Sequence, residues 1–134
     1  MPPRTILIVE DDPDTQEFYE ALLRAAGYEV LSASSGQQTR ALVATRPIDG
    51  VLLDYHLSDT IGSGLPDTIG LDLCRELRAA LGPDVPILLV TTGREPLLET
   101  RVYAAGATAF LDKPFNPDVL LALLTAYAPG VDST

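Results

Sequence analysis

The sequence alternates short apolar runs with amphipathic stretches, five times over. The runs cover residues 5–9, 28–33, 51–53, 85–90 and 108–111. Three of them carry almost unbroken apolar stretches: TILIV, VLL and PILLV. A strand with one wet face alternates apolar and polar residues. An unbroken run instead predicts a strand covered on both faces, as in a parallel sheet. The second and fifth runs are weaker, as edge strands tend to be.

The stretches between the runs have helical spacing. Phe18, Leu22 and Ala25 share one predicted face, Leu71, Cys74, Leu77 and Leu81 a second, and Leu98, Val102 and Ala105 a third. Val119, Leu120, Leu123, Leu124 and Tyr127 make a broad stripe on the last helix. The stretch 36–45 is the least amphipathic, with only Ala41, Leu42 and Ala44 to bury. Asp12-Pro13 and Asn116-Pro117 each predict a helix cap followed by proline at the first helical position. Gly27, Gly82 and Gly106 follow helical patterns, where a residue of positive φ ends the helix. Strand followed by helix, five times, predicts an α/β domain with a parallel sheet, right-handed crossovers and helices on both faces.

One segment breaks the rhythm. Leu57-Ser58-Asp59-Thr60-Ile61-Gly62 recurs as Leu65-Pro66-Asp67-Thr68-Ile69-Gly70, eight residues on. The period is too short for a solenoid. It reads as a local duplication that lengthens one loop, expected over 57–70, with Gly62, Ser63 and Gly64 as its turn.

Composition sets bounds on this picture. A chain of 134 residues, 46% hydrophobic, fits one domain with a real core, expected over about 4–128 with a short tail at 129–134. No run approaches the roughly 18 apolar residues of a membrane helix. The apolar run after Met1-Pro2-Pro3-Arg4 stops at three acids, which is not a signal peptide. Cys74 is the only cysteine, so no internal disulfide is available, and it reads as a core thiol of a cytoplasmic protein. The net charge of −10 and pI of about 4.3 argue against nucleic acid and against an anionic membrane surface. They leave cations, metal ions and basic protein patches as partners.

In an open parallel sheet, ligands bind beyond the carboxyl ends of the strands. Beyond the first run stand Glu10, Asp11 and Asp12; beyond the third, Asp54; beyond the fourth, Thr91 and Thr92; beyond the fifth, Asp112 and Lys113. Asp12 and Asp14 are assigned to capping the next helix and complementing its dipole. Glu10, Asp11 and Asp54 would crowd three carboxylates together, which a hard divalent cation such as Mg²⁺ relieves. Lys113 supplies a second positive charge. It is the only lysine among nine basic residues, and its compact ammonium is not interchangeable with guanidinium. A carboxylate can attack phosphorus and form an aspartyl phosphate, given positioning and charge neutralisation. A threonine hydroxyl can then hold a phosphoryl oxygen.

These residues resemble the response-regulator receiver domain of two-component signalling, over roughly residues 4–127. ILIVEDDP resembles its acidic-pair motif, VLLDYHL its phosphoacceptor segment, LLVTTG its switch-hydroxyl segment and GATAFLDKPF its closing motif. The resemblance implies a doubly wound, flavodoxin-like five-stranded sheet of order 2-1-3-4-5. It implies a phosphoryl group accepted on Asp54 from a phosphohistidine on a histidine kinase or histidine phosphotransfer protein, with transfer and later hydrolysis catalysed by the receiver itself. Mg²⁺ would be held by Asp11, Asp54 and the backbone carbonyl of His56, with Glu10 acting largely through water. Lys113 and Thr91 would hold the phosphoryl group. Thr91 and Phe110 would switch, changing the protein-binding surface at about 94–105 and 110–127, while His56 and Gly93 would tune rates.

The chain departs from that pattern in the duplicated segment, and it carries only residues 129–134 beyond the last helix, so a stand-alone receiver is expected. A homodimer through the face formed by the fourth and fifth helices is compatible with the apolar stripe. Two other functions compete. One is a phosphorylation-independent interaction module that binds through the 57–70 loop. The other is a phosphatase with an aspartate nucleophile, which would want a second acid two residues on, where His56 stands.

Overall fold

Among the described residues, five strands and five helices alternate. A computed structural model describes residues 4–55, 66–91, 98–113 and 116–127, with the backbone alone for 66–70 and 98. The strands are β1 (Thr5–Val9), β2 (Glu29–Ala33), β3 (Gly50–Asp54), β4 (Ile87–Thr91) and β5 (Ala109–Asp112). The helices are α1 (Pro13–Ala25), α2 (Gly36–Thr45), α3 (Pro66–Leu81), α4 (Leu98–Ala104) and α5 (Pro117–Tyr127). All four strand pairings are parallel, in the order β2-β1-β3-β4-β5. The two weaker apolar runs lie at the two edges, as expected.

Strand side chains alternate between two cores. Leu7, Val9, Val51, Leu53, Ile87 and Leu89 face one side, where Cys74 and Leu77 of α3 and Val102 of α4 cover them and Leu42 of α2 packs alongside. Ile6, Ile8, Leu52, Leu88 and Val90 face the other, covered by Tyr19 and Leu23 of α1 and by Leu120 and Leu124 of α5. Burial on both faces is why β1, β3 and β4 read as continuous apolar runs.

The caps fall where expected. Asp12 accepts from the Thr15 N–H at 2.9 Å, with Pro13 opening α1, and Asn116 accepts from the Asp118 N–H at 2.9 Å as α5 begins. Gly27, Gly82 and Gly106 all have positive φ.

Four expectations are corrected. On α1 the buried residues are Tyr19 and Leu23, while Phe18 and Ala25 are exposed and Leu22 is half-buried. The two stripes are neighbours on the helix, and both are apolar enough to satisfy the spacing. On α2, Ala41 and Ala44 face solvent; Gly36 and Thr39 are buried instead, with the Thr39 hydroxyl donating to the Ser35 carbonyl at 2.8 Å. On α5, Val119 and Tyr127 stand exposed, while Leu120 and Leu124 are buried in the core and Leu123 packs against it half-buried. Finally, the loop expected over 57–70 ends earlier, because α3 begins at Pro66. Proline's fixed φ suits the first helical position, so the second copy of the duplicated segment runs into a helix. The first copy lies outside the described residues.

Candidate functional site

The strand ends converge at one edge of the sheet. Each parallel strand delivers its last residue to the same side, and the register sets Val9 beside Leu53, Asp54 beside Val90 and Thr91 beside Asp112. Glu10 follows β1 directly, Asp54 ends β3, Thr91 ends β4 and Lys113 follows β5. One carboxylate oxygen from each of Glu10, Asp11 and Asp54 lies within 4.8 Å of the others. Glu10 and Asp54 are buried and Asp11 is half-buried.

Lys113 closes the pocket from the β5 side. Its Nζ lies 3.1 Å from Glu10 Oε1 and 3.7 Å from Asp54 Oδ1. Its backbone N–H donates to the Thr91 carbonyl at 2.6 Å, which ties the ends of β4 and β5 together. Thr91 is fully buried. Phe110, on β5, is half-buried and meets the ring of Tyr103 from α4 nearly edge-on, with centroids 5.9 Å apart.

The electrostatics show how much negative charge the pocket holds. Burial, and then the charge of Asp54, push the Glu10 carboxyl up to about 7. The Asp12 N–H at 3.1 Å and the Lys113 ammonium only partly oppose this. Burial, with the charges of Glu10 and Asp54, also raises the phenol of Tyr19 on α1. A carboxyl raised first by burial and then by a neighbouring acid marks a site short of positive charge. Three converging carboxylates are the oxygen donors that a hard divalent cation takes, so the residues present fit Mg²⁺.

The structure thus brings together Glu10, Asp11, Asp54, Thr91 and Lys113. It sets Phe110 one strand residue from Leu111 and two from Asp112, on the adjoining surface. His56, Thr92, Gly93 and Pro114 lie outside the described residues. One participant was missed: Gln16, whose side-chain amide donates to the Glu10 carbonyl at 3.0 Å. Its only signal was position, in the first turns of a helix that starts beside the acids.

Comparison with known proteins agrees with this arrangement. Residues 6–125 match the response regulator receiver domain. The chain belongs to the response-regulator receiver family. This receiver is 37% identical over 124 residues to the phosphate regulon transcriptional regulatory protein PhoB of Pseudomonas aeruginosa, covering 92% of this chain and 51% of that protein. It is 36% identical to the response regulator MprA of Mycolicibacterium vanbaalenii, covering 92% of this chain and 50% of that one. The receiver therefore spans about half the length of these relatives. Among solved structures, the Vibrio cholerae chemotaxis protein CheY4 superposes with a TM-score of 0.77 at 28% identity, covering 92% of this chain and 98% of that one. A CheY-like receiver domain protein from Methanospirillum hungatei gives 0.80 at 27%, covering 92% and 91%. The fold is the flavodoxin-like one, and the family's work is two-component signalling. Among the described residues, no helix is long and apolar enough to cross a membrane.

Proposed function

We propose that this receiver is a phosphorylatable switch whose acceptor is Asp54. The observation that carries the reading is the pocket itself: three carboxylates within 4.8 Å, faced by the chain's one lysine at 3.7 Å from Asp54. The donor is a phosphohistidine on a histidine kinase or histidine phosphotransfer protein in the cytoplasm. An Asp54 carboxylate oxygen attacks phosphorus, the new O–P bond forms as the N–P bond breaks, and the imidazole of the donor leaves and takes a proton. Water later attacks the same phosphorus, returning the carboxylate and inorganic phosphate.

Asp11 and Asp54, with Glu10 behind them, would hold Mg²⁺, which supplies charge neutralisation at the transferring oxygens. Lys113 sits where it can bind a phosphoryl oxygen on Asp54. Thr91, at the end of the adjacent strand, offers a hydroxyl to a second. The Lys113 N–H on the Thr91 carbonyl passes any shift of β4 to β5 and hence to Phe110. Output follows from the changed surface of α4, β5 and α5, where Tyr103 and Tyr127 are already exposed.

Beryllofluoride with Mg²⁺, titrated into ¹⁵N-labelled protein, tests this reading. The wild type is expected to shift the amide signals of Asp54, Thr91, Phe110 and Lys113, and Asp54→Ala to shift none. An unresponsive wild type overturns the reading.

A further inference from the structure

We propose that Gln16 is the positioning residue of the acidic pocket: its side-chain amide fixes the backbone that carries Asp11 and so sets the affinity for a divalent cation. The inference rests on the reading of Glu10, Asp11 and Asp54 as a cation site. Glu10 and Asp54 are buried and held by packing. Asp11 is half-buried on a bend just outside the sheet, carried by the backbone between Glu10 and Asp12.

That backbone is bracketed. Before Asp11, the Glu10 carbonyl accepts from Gln16 Nε2 at 3.0 Å. After it, the Asp12 N–H donates to Glu10 Oε2 at 3.1 Å. Gln16 is itself rigidly mounted, its N–H closing the first helical turn on the Asp12 carbonyl at 2.9 Å. The same Nε2 lies 3.4 Å from both the Ala33 carbonyl and the Ser34 hydroxyl, so one amide spans the ends of β1 and β2. The Glu10 N–H donates to that Ala33 carbonyl at 3.0 Å, which completes the clamp.

The residue type matters. Lysine or arginine would satisfy the same carbonyls but add a second fixed positive charge, besides Lys113, that competes with a bound cation for the carboxylates. Glutamate would aim an acceptor at acceptors. An amide donates without changing the local charge.

The test is calorimetric titration of Mg²⁺ into the intact chain, for the wild type, Gln16→Met and Gln16→Asn, with thermal melts recorded in the absence of Mg²⁺. Methionine keeps the length and packing and removes the donor; asparagine keeps an amide that is too short to reach. Each variant is expected to raise the Mg²⁺ Kd roughly tenfold, the lower end for a group that orients a ligand. A purely structural residue would lower the melting temperature and leave the Kd of the folded protein unchanged. An unchanged Kd in whichever variant folds overturns the inference. Failure of the wild type to bind Mg²⁺ is a separate result, which overturns the cation site and this inference with it.

Discussion

The ammonium of Lys113 stands closer to Glu10 than to Asp54, at 3.1 Å against 3.7 Å. In Mg²⁺-free protein the lysine is therefore expected to neutralise chiefly a buried acid that is not the acceptor. Removing it leaves two buried carboxylates facing each other. Lys113→Met is expected to cost about 2–3 kcal/mol in urea unfolding without Mg²⁺, less than for a fully buried pair because the lysine is partly exposed. Added Mg²⁺ should restore part of the loss. A change below about 0.5 kcal/mol, typical of a surface pair, would contradict the assignment.

At the opposite edge of the sheet, Arg78 does structural work. Its guanidinium donates to the carbonyls of Gly106 (2.9 Å), Gly82 (2.7 Å) and Val85 (2.6 Å), and reaches Thr108 Oγ1 at 3.2 Å. It thus joins the end of α3 to the entries of β4 and β5. Arg78→Ala is expected to lower stability by about 2–4 kcal/mol, since charged donors to several carbonyls are lost at once. Gly106→Ala should cost more than about 1 kcal/mol by itself. Its φ is +106° and a Cβ there would sit 2.8 Å from the Arg78 side chain. Denaturant midpoints at fixed slope measure both.

The two apolar stripes of α1 can be told apart by mutation. Leu23 is fully buried and Phe18 is half exposed. Leu23→Ala is expected to cost about 2–5 kcal/mol and Phe18→Ser less than about 1 kcal/mol. Equal costs would mean that the helix is rotated from the described orientation.

Burial pushes the Cys74 thiol up to about 11 from an ordinary value of 9.0. The unfolded chain then ionises this group first as pH rises. The folded state therefore loses stability between about pH 9 and pH 11, and is unaffected by this group below about pH 9. Burial also raises the phenols of Tyr19 and Tyr28, which add to the alkaline loss of stability, so the thiol is isolated by difference. The wild type is expected to lose roughly 2–3 kcal/mol more than Cys74→Ala over that interval. Identical pH slopes would contradict it. For the same reason, the native thiol should react slowly with disulfide reagents at neutral pH.

Much of the fold was legible because β1, β3 and β4 bury both faces, and only such strands read as unbroken apolar runs. The site was legible because parallel strands end on one side, so Glu10, Asp54, Thr91 and Lys113 each follow or close a run. What escaped has physical causes. Periodicity cannot choose between Phe18–Leu22 and Tyr19–Leu23, adjacent stripes of similar apolarity. Helix α2 buries Thr39, a polar residue made tolerable by its bond to the Ser35 carbonyl. The duplicated segment looked like loop throughout, yet α3 takes it up from Pro66. Gln16 gave no signal beyond its position early in α1, because a side-chain amide that grips carbonyls has no pattern in sequence.

Everything proposed for the pocket depends on Asp54 taking the phosphoryl group. Intact-mass measurement after incubation with acetyl phosphate and Mg²⁺, followed by peptide mapping, tests it most directly. One phosphoryl group per chain is expected, located on Asp54, not formed when Mg²⁺ is chelated beforehand, and absent from Asp54→Asn. An unmodified wild type, or equal labelling of Asp54→Asn, would contradict it.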